Sequence, residues 1–258
     1  MNKVDRKIPE LASMKSYPKE LFYSGNLDLL DAKKVSIVGA RKTSKYARAL
    51  TYELSNKLSR GGVCIVSGGA IGVDAIAHKS AGSSNTIAIL PCGVDIKYPK
   101  INQNLLTDIQ KNGLLLSQFA MGFRATPWSF VLRNELVVAL GEVLVVAEAE
   151  LGSGSMRSIE FAKKMGKEIF VFAHRLGESS ATNELLKNGE AKAIYDIDEF
   201  VSRFATTKSF SVKSDLFEEF CKSNPTYDEV LKKYPERIFE AELSGQIEVV
   251  NGRVVFLL

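Results

Sequence analysis

The residues of this chain best suited to chemistry sit in turns of small side chains that follow short β-branched runs. Val63-Cys64-Ile65-Val66 leads into Ser67-Gly68-Gly69-Ala70-Ile71-Gly72-Val73-Asp74. Val35-Ser36-Ile37-Val38 leads into Gly39-Ala40-Arg41-Lys42-Thr43-Ser44, and Val143-Leu144-Val145-Val146 precedes Gly152-Ser153-Gly154-Ser155. Glycines at a strand-to-helix turn let backbone approach a ligand, and the free N–H groups of the next helix start suit a phosphate. Arg41 and Lys42 place two cations in the first of these turns, where an arginine fork matches phosphate geometry. Pro127-Trp128-Ser129-Phe130-Val131-Leu132-Arg133-Asn134 sets two aromatics beside an arginine, a combination that stacks bases and holds backbone phosphates with little regard to sequence.

Each motif also has a plain structural reading. Arg41 and Lys42 serve equally as solvated surface charges, Phe130 and Leu132 as core with Trp128 over a helix start, and Gly152 to Ser155 as an ordinary helix cap. Asp74 and His78 stand four apart on one helix face, which permits an acid–base pair but suits a helix cap and a packing histidine better. His174 has no evident partner. There is no Gly-x-Ser-x-Gly elbow and no cluster of ligands at metal spacing, so no catalytic or metal residue is assigned and no cofactor is expected. A dinucleotide enzyme is disfavoured: Ser67-x-Gly69-x-x-Gly72 lacks the first glycine of the fingerprint and follows the second strand of the alternating pattern.

The elements that must position these turns alternate along the chain. Strand-like runs at 34–38, 63–67, 86–91, 113–117, 143–149 and 168–173 are separated by helical patterns at 45–60, 72–81, 101–111, 129–140, 156–165 and 181–188. That alternation predicts an α/β fold, an extended Rossmann-like, doubly wound, mostly parallel sheet whose turns meet at the carboxyl ends of the strands. Small polar residues around 206–213 read as a linker. Beyond them, three helical patterns and the Asn251-Gly252 turn between two β-branched runs predict a small winged-helix-like domain over 214–258. The expected organisation is therefore a short N-terminal extension, 1–25, a Rossmann-like domain, 26–205, the linker and the small domain.

Charge divides along the same line. Residues 206–258 carry 7 Lys and Arg against 9 Asp and Glu, whereas the rest of the chain carries 27 against 21. The larger domain is the one that hosts an anion more readily, and the acidic small domain fits a protein contact better than duplex DNA. An odd set of three cysteines, Cys64, Cys92 and Cys221, with no Cys-x-x-Cys pair, fits a reducing cytoplasm. No apolar window is long enough to span a bilayer, so no membrane partner is expected.

Taken together, the blocks resemble the DNA-processing protein A family, DprA or Smf. They run from Tyr17-Pro18, Leu21-Phe22 and Gly25-Asn26 through Val38-Gly39-Ala40-Arg41, Ser67 to Asp74, and Ala77-His78. They continue with Leu90-Pro91-Cys92-Gly93-Val94-Asp95, Tyr98-Pro99, Phe130 with Arg133-Asn134, Ser153-Gly154-Ser155-Met156 and Thr182 to Leu186 with Gly189. The resemblance implies a non-enzymatic protein that binds single-stranded DNA, protects incoming strands and loads the RecA recombinase on them, acting as a homodimer in natural transformation. Its nucleic-acid site maps here to Gly39, Arg41, Lys42, Ser67, Gly69, Phe130, Arg133, Asn134, Ser153 and Ser155.

Two positions depart from the family pattern. Glu135 replaces a usual arginine, which is expected to weaken the basic edge, and Gln118 replaces a usual glutamate. The N-terminal helical domain of many members is expected to have no counterpart in this sequence. The rival is a nucleotide-processing, phosphoribohydrolase-like enzyme of the lysine-decarboxylase-like group, but its Pro-Gly-Gly-x-Gly-Thr motif is replaced here by Leu151-Gly152-Ser153-Gly154-Ser155. For the dimer, residues 191–204 carry Ile194, Tyr195, Ile197, Phe200, Val201 and Phe204, more apolar surface than a closing element requires. Phe204 is expected to be one of its exposed members.

Overall fold

A computed structural model describes residues 2–205, 216–243 and 245–256. The chain divides into two compact units, Met1–Phe210 and Ser211–Leu258. The segment 206–213, read as a linker, lies outside the described residues.

In the larger unit the elements are β1 (Asn2–Lys3), β2 (Phe22–Gly25), β3 (Lys34–Val38), α1 (Lys45–Arg60), β4 (Cys64–Ser67), α2 (Val73–Ala81), β5 (Thr86–Ile89), α3 (Gln103–Asn112) and β6 (Leu114–Ser117). They continue with α4 (Pro127–Leu140), β7 (Leu144–Val146), α5 (Ser155–Lys164), β8 (Ile169–Phe172), α6 (Ser180–Lys187), β9 (Lys192–Ile194) and α7 (Ile197–Ser202). Nine strands form one sheet in the order β1-β2-β6-β5-β4-β3-β7-β8-β9. From β6 to β9 every neighbouring pair is parallel; β1 and β2 are antiparallel additions at one edge.

Successive strand residues point to opposite faces, and both faces are covered. Val35, Ile37, Ile65, Val145 and Phe172 pack beneath α1 and α2, whereas Cys64, Val66, Leu144, Val146 and Val171 pack beneath α4, α5 and α6. α3 closes over Ala88, Leu90 and Leu115 near the antiparallel edge. Helix α1 shows how the sequence sets a boundary: Ser44 Oγ accepts the Ala47 amide at 3.1 Å, and buried Ala47, Thr51, Leu54 and Leu58 recur at helical spacing.

The segment 1–25, read as an extension ahead of the sheet, is a correction. β2 pairs with β6 from Phe22↔Ser117 to Gly25↔Leu114 and β1 pairs with β2, so Asn2–Lys3 and Phe22–Gly25 are part of the sheet. Phe204 is a second correction. It is 3% exposed and packs against Phe200 at 5.0 Å, with Phe200 edge-on to Phe170, so its ring belongs to the core under β8. In that segment Tyr195 is the exposed aromatic, at 87%.

The smaller unit contains α8 (Leu216–Lys222), α9 (Tyr227–Lys233), α10 (Pro235–Leu243), β10 (Ile247–Val250) and β11 (Arg253–Phe256). Thr226 and Glu229 form a reciprocal cap at the start of α9. The β10–β11 hairpin turns on Asn251 and Gly252, both at positive φ (51° and 74°), as a two-residue turn of this hand requires. Phe217, Cys221, Val230, Ile238, Ala241, Ile247 and Val254 make its core. No helix among the described residues is long and apolar enough to cross a membrane.

Candidate nucleic-acid interface

Sheet order fixes where a ligand can enter. The chain leaves β3 toward β4 on one side and returns to β7 on the other, so β3 and β7 flank the switch point where open α/β sheets form a crevice. A cleft of about 650 Å³ lies there, lined by Gly39, Arg41, Lys42, Phe130, Asn134 and the Ser153–Ser155 turn, among others. A smaller hollow of about 120 Å³ adjoins it, sharing Arg41, Phe130 and Arg133 and adding Tyr98.

The turns are locked to one another by backbone. Val73 N–H donates to Ala40 O at 3.1 Å. Gly72, at φ 80°, brings the second turn so close that a Cβ there would lie 2.3 Å from Ala40 O. Glu148, in the loop after β7, accepts the Ser44 amide at 2.8 Å and ties the first turn to the third. Arg41 and Lys42 are exposed and have no carboxylate partner among the described residues.

Arg133 reaches the same cleft from below. It is 5% exposed, on the second turn of α4, and its Nη1 lies 3.5 Å from Asp74 Oδ2. That carboxylate also accepts the Gly68 and Ala70 amides at 3.1 and 3.3 Å. Burial pushes the Asp74 carboxyl up, against the pull of the Arg133 guanidinium and the two amides. Gly68 makes room for the pair: a Cβ built on it would lie 1.0 Å from Arg133 Nη1. Arg133 Nε is buried with no hydrogen-bond partner in the protein.

Phe130 joins the two arginines. The Arg41 and Arg133 guanidinium carbons lie 5.8 and 5.9 Å from its ring centroid, and Tyr98 packs edge-on at 5.8 Å. The ring is half-buried and Leu132 is 38% exposed, so neither is core. One aromatic ring with two guanidinium groups over it joins the two kinds of group, aromatic and cationic, that base stacking and phosphate contact use.

The third turn supplies neutral groups. Ser153 Oγ is buried without a partner in the cleft wall, and Ser155 opens α5 at the edge of the cleft, where the Met156 and Arg157 amides are taken up by the Ser153 and Gly154 carbonyls. Glu150 also lines the cleft, but Ser180 binds its carboxylate through backbone and hydroxyl, which holds the carboxyl below its ordinary range.

Two residues on the sequence-derived site leave it. Ser67 is fully buried and its hydroxyl donates to Ile37 O at 2.6 Å, inside the sheet. Gly69 is buried facing Leu106, and its carbonyl accepts from Asn102 at 3.0 Å; its neighbours Gly68 and Ala70 reach the hollow instead. Glu135 corrects a third expectation. It points away from the cleft, is 8% exposed and accepts the Lys15 amide at 3.1 Å, so it anchors the N-terminal segment and leaves the basic edge intact. His78 does not meet Asp74: its Nδ1 pairs with Thr86 Oγ1 at 2.7 Å in the core, where burial pushes its pKa down to about 3. His174 finds Ala147 O at 2.8 Å and the edge of Tyr46. Among the described residues no group of His, Cys, Asp and Glu is gathered to hold a metal. Sequence reasoning did not single out Tyr98 as a site residue, although the Tyr98-Pro99 pair was a signal, nor Asp74 as the partner of Arg133.

Residues 2–205 match the family described as DNA recombination-mediator protein A. The chain belongs to this family. Among its relatives, the DNA processing protein DprA of Streptococcus pneumoniae is 34% identical over 199 residues, 76% of this chain and 70% of that one. The protein Smf of Escherichia coli is 31% identical over 186 residues, 70% of this chain and 50% of that one. Among solved structures, DNA processing protein A of Helicobacter pylori, studied for its single-stranded DNA binding mode, superposes with a TM-score of 0.77 at 39% identity, covering 78% of this chain and 94% of that one. The S. pneumoniae DprA structure superposes with a TM-score of 0.70 at 33% identity, covering 76% and 70%. The recombination-mediator family consists of DNA-processing proteins rather than enzymes, and this places the chain in DNA processing and recombination.

Proposed function

We propose that this chain binds single-stranded DNA in the β3–β7 cleft, with little sequence preference, and presents the strand to the RecA recombinase during natural transformation and homologous recombination. It works in the cytoplasm as a homodimer. The observation that carries the reading is Phe130 with the Arg41 and Arg133 guanidinium groups at 5.8 and 5.9 Å from its centroid, in a cleft whose wall also holds the unpartnered Ser153 hydroxyl. Stacking and phosphate contact are both provided, and neither reads base edges. The H. pylori relative, studied for single-stranded DNA binding, supports the ligand class.

The smaller unit, winged-helix-like in this reading, contributes protein contacts rather than strand binding, in keeping with the acidic balance of residues 206–258. Dimerisation rests on the surface around Tyr195, since Phe204 is in the core.

Fluorescence anisotropy with a labelled oligothymidine at two salt concentrations tests the central claim. Affinity should fall steeply with salt. Binding that is indifferent to salt, or no binding at low salt, rejects it. RecA assembly on strands coated with single-strand-binding protein tests the handover: the chain should shorten the lag. Light scattering tests the dimer, and a mass near the 28.4 kDa of one chain excludes it.

A further inference from the structure

Trp128 stands outside the cleft just described, yet it is built as a platform. It lies on the first turn of α4, next to Pro127, Phe130 and Val131 of the cleft wall. Helical spacing turns it about 100° from Pro127 onto the neighbouring face. Phe119 and Phe123, from the loop that follows β6, stack on each other at 4.5 Å and 13° and hold the indole at 5.4 and 5.7 Å with interplanar angles of 78° and 70°. Both contacts are edge-type, so neither ring lies plane to plane against the indole, and the side chain remains 52% exposed. Arg124, on the same loop, is exposed and has no carboxylate partner among the described residues. The neighbouring Asp95 carboxylate is taken up by the Gly122 amide.

A tryptophan held by two T-shaped contacts and left half exposed is poorly explained by core packing. We infer that Trp128 is a second base-stacking position, which takes up the strand as it leaves the cleft past Pro127 and Val131, while Arg124 meets an adjoining phosphate. The occupant is the continuation of the same single strand, because the platform lies at the carboxyl edge of the sheet, continuous with the cleft, and carries the complementary charge. This rests on the cleft reading above and adds the strand's exit path.

The chain holds one tryptophan, so its emission reports this position alone. Unlabelled oligothymidines of increasing length are titrated into the intact protein while emission is followed, in parallel with anisotropy of labelled strands. Emission should be unchanged by strands just long enough to fill the cleft and quenched by longer ones. Trp128→Ala should lose about tenfold in affinity for long strands and little for short ones, in line with the loss of one stacked base, and Trp128→Phe should retain most of it. Long strands that bind without changing the emission overturn the inference while the cleft reading survives; strands of no length binding overturn both. An emission change on concentrating the protein without DNA, with none on adding DNA, assigns the face to a second copy and overturns it as well.

Discussion

The first and second strand-to-helix turns look alike in sequence and do opposite things. After β3, the turn 39–44 carries Arg41 and Lys42 into solvent with no counter-charge among the described residues. After β4, the turn 67–72 begins with three buried residues, Ser67 to Gly69, and its Gly68 and Ala70 amides are spent on the Asp74 carboxylate, which in turn holds Arg133. One turn offers its cations to the proposed ligand; the other builds the floor on which a distant arginine is mounted. A glycine-rich turn is thus evidence of close backbone approach, and what approaches can be the protein's own side chain.

This contrast predicts that damage to the second turn shows as lost stability and damage to the first as lost binding. The largest effect is expected from Asp74→Ala, which leaves the Arg133 charge buried and unpaired; urea unfolding should register a loss of about 3–5 kcal/mol. Pairing it with Arg133→Met should recover most of that stability while strand binding remains impaired. Next comes pH. His78 is neutral in the folded core down to about pH 3 but protonates near 6.5 when unfolded. The unfolded state therefore binds more protons between these values, and stability falls as pH drops through that window, by about 2 kcal/mol at pH 5 from this group alone. Thermal melts of wild type and His78→Gln at pH 7.5 and 5 check it, the variant showing the smaller drop.

Arg41→Ala should reverse the pattern: unfolding within about 0.5 kcal/mol of wild type, strand affinity down about tenfold (1.4 kcal/mol), and the salt slope flatter by roughly one unit. Unchanged affinity would remove the first turn from the interface. The smallest effect belongs to Lys42→Ala, under about 1 kcal/mol in binding, since an exposed lysine supplies a point charge without a fork. Equal losses for the two substitutions would show that charge alone matters in this turn.

Much of the larger unit was legible because its physics is local. Strand-like apolar runs marked β3 to β8, the helical pattern at 45–60 marked α1, and Asn251-Gly252 marked the hairpin. Arg41 and Phe130 could be placed at the rim because strand-to-helix turns of a parallel sheet open at one end. What was hidden depends on contacts between distant residues. Asp74 and Arg133 are far apart in the chain, so nothing near either announces the ion pair. Helical periodicity shows that Asn134 and Glu135 point differently, but not that Glu135 faces the N-terminal segment. β2 is a short strand after Pro18, stabilised by pairing with β6, and its own pattern is too brief to show it. Phe204 read as surface because the apolar content of 191–204 exceeds what a final helix needs; the surplus fills the space above Phe170 and Phe200.

The void at Gly68 also governs what this cleft can become. With 1.0 Å between a hypothetical Cβ and the Arg133 guanidinium, and 2.8 Å to Asp74 Oδ2, a side chain at 68 has to push the arginine aside and disturb its ion pair with Asp74. The dependence runs one way, because a shorter residue at 133 leaves the glycine at 68 undisturbed. The order of substitutions therefore matters at this end of the sheet: position 133 can change first and open room at 68, whereas a change at 68 is felt at once by 74 and 133, across three elements of the fold.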